Sequence, residues 1–181
     1  FSLGIYEDWP DERWMDVSQE KWQQFILSLA DNLIAKGFDG FFIDNTDVYY
    51  LYKKPAIYKG LTTILSSLYQ KGVDIIINGG DVYVQTYINE GEPKGKIFDG
   101  VNQEDVYTSY DFDKEVYEKN DKETRTYYTE YLKKVKSRGY TVYVLEYANK
   151  ASVRDEAMNY SKKNGFTCYV SEDIDLRINK G

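Results

Sequence analysis

Four times along this 181-residue chain a basic or amide side chain precedes a glycine and an apolar or aromatic residue: Lys36-Gly37-Phe38, Lys71-Gly72-Val73, Arg138-Gly139-Tyr140 and Asn164-Gly165-Phe166. A glycine suits the left-handed position just past a helix end, and a cation before it complements the negative end of the helix dipole. Each mark therefore predicts the close of a helix and the start of a strand. The segments before three of the marks have helical periodicity: Trp22, Phe25, Ile26, Leu29 and Leu33, then Ile57, Leu61, Ile64, Leu65 and Leu68, then Tyr128, Tyr131, Leu132 and Val135. The segments after the marks are short and apolar, at 41–43, 75–77, 141–145 and 168–170, as in a parallel sheet covered by helices. Two further strands are predicted at 13–17, with Ser18 capping the next helix, and at 96–101. The total is six β/α units, with 108–120 read as an exposed loop over the site face.

An alternating β/α order gives a doubly wound open sheet or a barrel. Polar groups at the strand ends favour the α/β TIM-type (β/α) barrel, where such ends converge on one face. They are Asp16, Asp44 with Asn45, Asn78, Glu104, Glu146 and Glu172. Residues 1–181 are read as a single catalytic domain. A complete eight-unit barrel takes roughly 250 residues, so the chain is expected to be a fragment lacking the first two strands.

Composition narrows the chemistry. There is no histidine, which removes Ser-His-Asp and Cys-His nucleophiles and imidazole acid/base catalysis. Cys168 is alone, so neither an internal disulfide nor a cysteine zinc site is available. A net charge of −7 argues against nucleic acid as partner, and no apolar run is long enough to span a membrane. Aromatic residues make up 17% of the chain, and faces of that kind pack against the C–H surfaces of sugars.

Carboxylates are left as catalysts, and glycosidic cleavage needs two, one to protonate the leaving oxygen and one to attack carbon or activate water. Asp44 follows Phe41-Phe42-Ile43 directly, so a rigid strand holds its backbone. Glu104 ends Gly100-Val101-Asn102-Gln103, and a neighbouring anion such as Asp44 or Glu146 would favour its protonated form, as a general acid requires. Glu146 closes the strongest predicted strand, with Tyr147 beside it for substrate contact, although an ion pair at the strand end is an equal reading. Asp39 and Asp74 stand at the opposite ends of their strands and are set aside. Asp44, Asn45 and Asp47, with Asn78, could instead share a divalent cation.

With these residues in view, the chain resembles the endo-α-1,4-polygalactosaminidase family, glycoside hydrolase family 114. Four stretches carry the likeness: Trp9 to Val17 (WPDERWMDV), Lys36 to Tyr49 (KGFDGFFIDNTDVY), Gly100 to Glu104 (GVNQE) and Val144 to Tyr147 (VLEY). The resemblance implies a secreted or cell-surface endo-glycosidase acting on α-1,4-linked galactosamine polysaccharide, with Asp44 and Glu104 as catalytic acids and no cofactor or metal. It places Asp47, Tyr49, Asn78 and Glu146 at sugar subsites; Asp16, Asn45 and Tyr147 join them from their positions at strand ends. The family has two strands before the Trp-Pro segment that this sequence does not supply. Two other readings compete: a non-catalytic polysaccharide-binding module on a hydrolase-like barrel, and a divalent-cation-dependent phosphoester hydrolase.

Overall fold

The computed structural model describes residues 1–6 and 9–176. Its elements begin with β1 (Ser2–Ile5), β2 (Arg13–Met15), α1 (Glu20–Ala35), β3 (Gly40–Ile43), α2 (Val48–Leu51), α3 (Pro55–Tyr69), β4 (Asp74–Asn78) and α4 (Asp81–Asn89). There follow β5 (Gly100–Glu104), β6 (Thr108–Asp111), β7 (Val116–Lys119), α5 (Lys122–Ser137), β8 (Thr141–Tyr147), α6 (Ala151–Asn164) and β9 (Thr167–Ser171). The fold is α/β, with a parallel five-stranded sheet in the hydrogen-bonded order β3-β4-β5-β8-β9. The chain divides into two compact units, Phe1–Gly100 and Val101–Gly181.

All four glycine marks do what their sequence context predicts. Gly37, Gly72, Gly139 and Gly165 sit at φ 96°, 77°, 87° and 76°, where an L side chain is strained. In the first unit, β3 and β4 pair from Gly40 opposite Asp74 to Ile43 opposite Ile77, so Asp39 and Asp74 lie at the strand starts. Leu61, Leu65 and Leu68 of α3 are buried, as are Ile75 and Ile77 of β4 and Tyr83 and Tyr87 of α4. Each such side chain contributes roughly 1.5–3 kcal/mol by leaving water. In the second unit the corresponding core comes from Leu132 and Val135 of α5, Val142 and Val144 of β8 and Ala157 of α6.

Four expectations are corrected. The parallel sheet has five strands among the described residues, not six, because Arg13–Met15 pairs antiparallel with β1. A parallel neighbour would need a crossover far longer than the link from Ile5 to Arg13. Ser18 does not cap α1: its N–H and hydroxyl both donate to Asp16, and the cap position falls on Gln19 without a side-chain bond. The strand predicted at 96–101 starts later, at Gly100; Ile97 and Phe98 are buried ahead of it. The segment read as a loop at 108–120 contains the antiparallel hairpin β6–β7, with Thr108 opposite Lys119 and Asp111 opposite Val116.

Candidate active site

In the first unit the polar residues gather at the C-terminal ends of β3 and β4. Asp44 is the first residue past β3, and its side chain is exposed. One oxygen, Oδ1, accepts from Asn78 Nδ2 at 3.0 Å and from the backbone N–H of Asn45 at 2.9 Å. Asn78 is the last residue of β4 and is buried, so the donor that orients Asp44 is itself fixed. Asn45 takes a left-handed φ of 59°, which asparagine tolerates, and its Nδ2 donates to Glu12 at 2.9 Å.

Behind Asp44 the chain is locked by two glycines that sequence reasoning passed over. Gly79 and Gly80 lie at φ 63° and 65° and turn β4 into α4. A Cβ on Gly79 would meet the Asp47 carboxylate, and one on Gly80 would overlap the Thr46 hydroxyl. Gly80 N–H donates to both Asp47 oxygens at 3.2 Å, and Thr46 Oγ1 donates to the Asn78 carbonyl at 3.3 Å. Burial pushes the Asp47 carboxyl up to about 6, with the negative charges of Asp81 and Asp44 adding to the shift and the Gly80 N–H opposing it. Tyr49 packs with Tyr58 and Tyr83, at ring separations of 5.5 and 6.3 Å. Asp16 accepts from Ser18 and Gln19, and the Ser18 hydroxyl holds its carboxyl below the ordinary range. A cavity of about 550 Å³ in this unit is largely apolar, with Trp14, Trp22 and Leu65 in its walls and Asp44, Asn45 and Glu12 among its polar lining.

The second unit carries the other group. Glu104 is the last residue of β5 and is half-buried. Tyr147, the last residue of β8, donates its hydroxyl to Glu104 Oε2 at 2.7 Å. Tyr147 is 6% exposed, so its ring is fixed by packing. Glu146 is 0% exposed, and its oxygens accept from Tyr107 N–H at 2.8 Å, Thr108 N–H at 2.8 Å and Thr108 Oγ1 at 2.6 Å. These bonds tie the start of β6 to β8 and leave Glu146 with no surface for a sugar. Burial raises its carboxyl pKa, and the Thr108 donors oppose the shift. Asp105, also passed over, follows Glu104 at φ 54°. Burial raises its carboxyl to about 7, with the charges of Glu146 and Glu104 adding to it.

The structure thus brings Asp44, Asn45, Asp47 and Asn78 together in one cluster, and Glu104, Glu146 and Tyr147 in another. The signals for the missed residues were present in Gly79-Gly80, a doublet at a strand end, and in Asp105, an acid directly after Glu104.

The sequence profile of the glycoside-hydrolase family GH114 matches residues 3–179. The chain belongs to family GH114. Among solved structures, this GH114 chain is similar to the glycoside hydrolase domain of PelA from Pseudomonas aeruginosa, with a TM-score of 0.78 at 19% identity, covering 98% of this chain and 70% of that one. The E218A variant of that PelA domain matches with a TM-score of 0.77 at 18% identity, again over 98% and 70% of the two chains. Ega3 from Aspergillus fumigatus, solved in complex with galactosamine, matches with a TM-score of 0.71 at 15% identity, over 97% of this chain and 66% of that one. At these identities the likeness shows the fold. No curated protein matches the GH114 chain significantly. Among its described residues no helix is long and apolar enough to cross a membrane.

Proposed function

We propose that this GH114 chain is an endo-acting glycosidase of α-1,4-linked galactosamine-type polysaccharide, with Asp44 and Glu104 as its two working carboxyl groups. The observation that carries the reading is the setting of Asp44: an exposed carboxylate at the end of a parallel strand, oriented through one oxygen by the buried amide of Asn78. Strand ends of that kind are where (β/α) barrels build active sites, and the five parallel strands are read as part of such a barrel within one catalytic domain. Asp44 serves as nucleophile or as base toward water, and Glu104 as the acid that protonates the leaving oxygen. Asn45 reaches the sugar, while Asp16, Asp47, Tyr49, Asn78, Glu146 and Tyr147 hold the backbone and side chains around the two acids.

The substrate class rests on the family resemblance and on the galactosamine bound to Ega3, which is a property of that protein. A partly deacetylated galactosamine polymer is cationic, and the net charge of −7 suits it. A polymer substrate of this size places the enzyme outside the cell or at its surface. The test is to incubate the protein and its Asp44→Asn and Glu104→Gln variants with partly deacetylated α-1,4-galactosamine polymer and to read products by mass spectrometry. Oligosaccharides from the parent and from neither variant support the reading. Binding by all three without cleavage by any refutes it.

A further inference from the structure

The contacts around Thr108 hold a proton count that the glycosidase reading does not use. A threonine hydroxyl carries one hydrogen and two lone pairs. Thr108 Oγ1 lies 2.6 Å from Glu146 Oε2 and 3.3 Å from Asp105 Oδ1, and it accepts from Tyr147 N–H at 3.1 Å. Its single hydrogen satisfies one carboxyl group. Hydrogen-bonding the other requires a proton on a carboxyl, so the Asp105–Thr108–Glu146 chain is complete only when the two acids hold one proton between them.

Geometry also says which acid carries it. Glu146 accepts from two backbone N–H groups, those of Tyr107 and Thr108, and such donors favour the anion. Asp105 receives neither of them. Its own N–H donates to the Leu145 carbonyl at 3.0 Å, and its carbonyl accepts from Asn120 Nδ2 at 2.6 Å, so the backbone around it is held on both sides. These bonds fix the backbone from which the Asp105 carboxyl reaches Thr108 Oγ1 at 3.3 Å.

We propose that Asp105 works as a neutral carboxylic acid donating to Thr108 Oγ1, and that it is a positioning residue whose ionisation unsettles the β5 end on which Glu104 stands. The second part rests on the glycosidase reading; the first does not. The titratable groups facing Asp105 are Glu146 on β8 and Glu104 on its own segment, and negative charge on either opposes a further one. Losing the proton breaks the bond to Thr108, which also receives the N–H of Tyr147, the residue that donates to Glu104. Ionisation at Asp105 is thus felt at Glu104 through a packed neighbour.

The sign for stability follows from a carboxyl raised from 3.8 to about 7 by burial and by its two anionic neighbours. Its contribution is fully present below about pH 4 and is lost as pH rises toward 7. The experiment compares urea unfolding of the protein and of Asp105→Asn, whose amide can still donate to Thr108, across that range. The parent is expected to lose stability relative to the variant as pH rises, by up to about tenfold in the folding equilibrium constant per pH unit. An infrared carbonyl band of a protonated carboxyl in the parent, fading near pH 7 and absent from Asp105→Asn, checks the same proton without depending on the variant's stability. A flat stability difference, or no such band, overturns the proposal. In cleavage assays the parent is expected to lose kcat above about pH 7 while Asp105→Asn keeps it, with KM unchanged in both; identical alkaline profiles overturn the link to Glu104. A parent that cleaves nothing while the band and the stability slope are present sinks the glycosidase reading and leaves the neutral Asp105 standing.

Discussion

Replacing Tyr147 by phenylalanine removes one hydroxyl and keeps a ring that is 6% exposed in place. The hydroxyl donates to Glu104 Oε2 at 2.7 Å, an ordinary O–H···O length. Such a bond contributes about 0.5–1.5 kcal/mol, and up to about 3 kcal/mol where the acceptor carries charge. Glu104 is half-buried, so water replaces part of what is lost, and the net falls toward about 1–2 kcal/mol. If Glu104 must be held through the transition state, that figure appears in kcat, at about tenfold per 1.4 kcal/mol, giving a loss of roughly 5- to 30-fold. KM should change little, since the bond orients an acid rather than the sugar. Global stability should drop by no more than about 1–2 kcal/mol, because no cavity is opened. The assay is steady-state cleavage of the galactosamine polymer with a urea unfolding curve alongside. A variant within twofold of the parent in kcat would refute the claim that Tyr147 positions Glu104. A loss carried wholly by KM would refute it as well.

Two further outcomes follow from the first unit. Gly80→Ala should cost about 2 kcal/mol or more in urea unfolding, since alanine is strained at φ 65° and its Cβ overlaps the Thr46 hydroxyl; an unchanged midpoint would show that the turn is not held as described. Asp47→Asn should alter how stability depends on pH. A carboxyl raised to about 6 contributes stability present below about pH 4 and lost as pH rises toward 6, so the parent should weaken over that window relative to the variant. Parallel pH profiles would contradict the burial of that charge.

Much of the scaffold was legible because its signals are local. The glycine marks, the helices α1, α3 and α5, and the runs that became β3, β4, β8 and β9 depend on neighbours in sequence, and each appears in the structure; the apolar face of α3 is buried, whereas Phe25 and Leu29 of α1 are exposed. What escaped depends on partners far along the chain. Arg13–Met15 reads as a strand, but only its pairing with Ser2–Ile5 makes it antiparallel. The helix α4 went unmarked because Glu90-Gly91-Glu92 after it lacks the basic or amide residue and the apolar residue of the other four marks, although its Tyr83 and Tyr87 are fully buried. The β6–β7 hairpin begins at Thr108, whose N–H and hydroxyl are satisfied by Glu146, a residue 38 positions away. Asp44, Asn78, Glu104 and Tyr147 all stand at the strand ends where the sequence puts them. The sequence reads Asn78 and Tyr147 as sugar contacts, and their bonds to Asp44 and Glu104 arise only through the pairing of strands.

Asp44 and Glu104 are proposed as the two carboxyl groups of one reaction. This is tested most directly by comparing kcat for polymer cleavage in Asp44→Asn, Glu104→Gln and the double variant, with all three shown folded by circular dichroism. Groups that work as a unit lose their effect together, so each single change should abolish most of the rate and the double should lose no more than the worse single. Losses that multiply, or a single variant with near-parental kcat, would mean that the two carboxylates do not share a reaction.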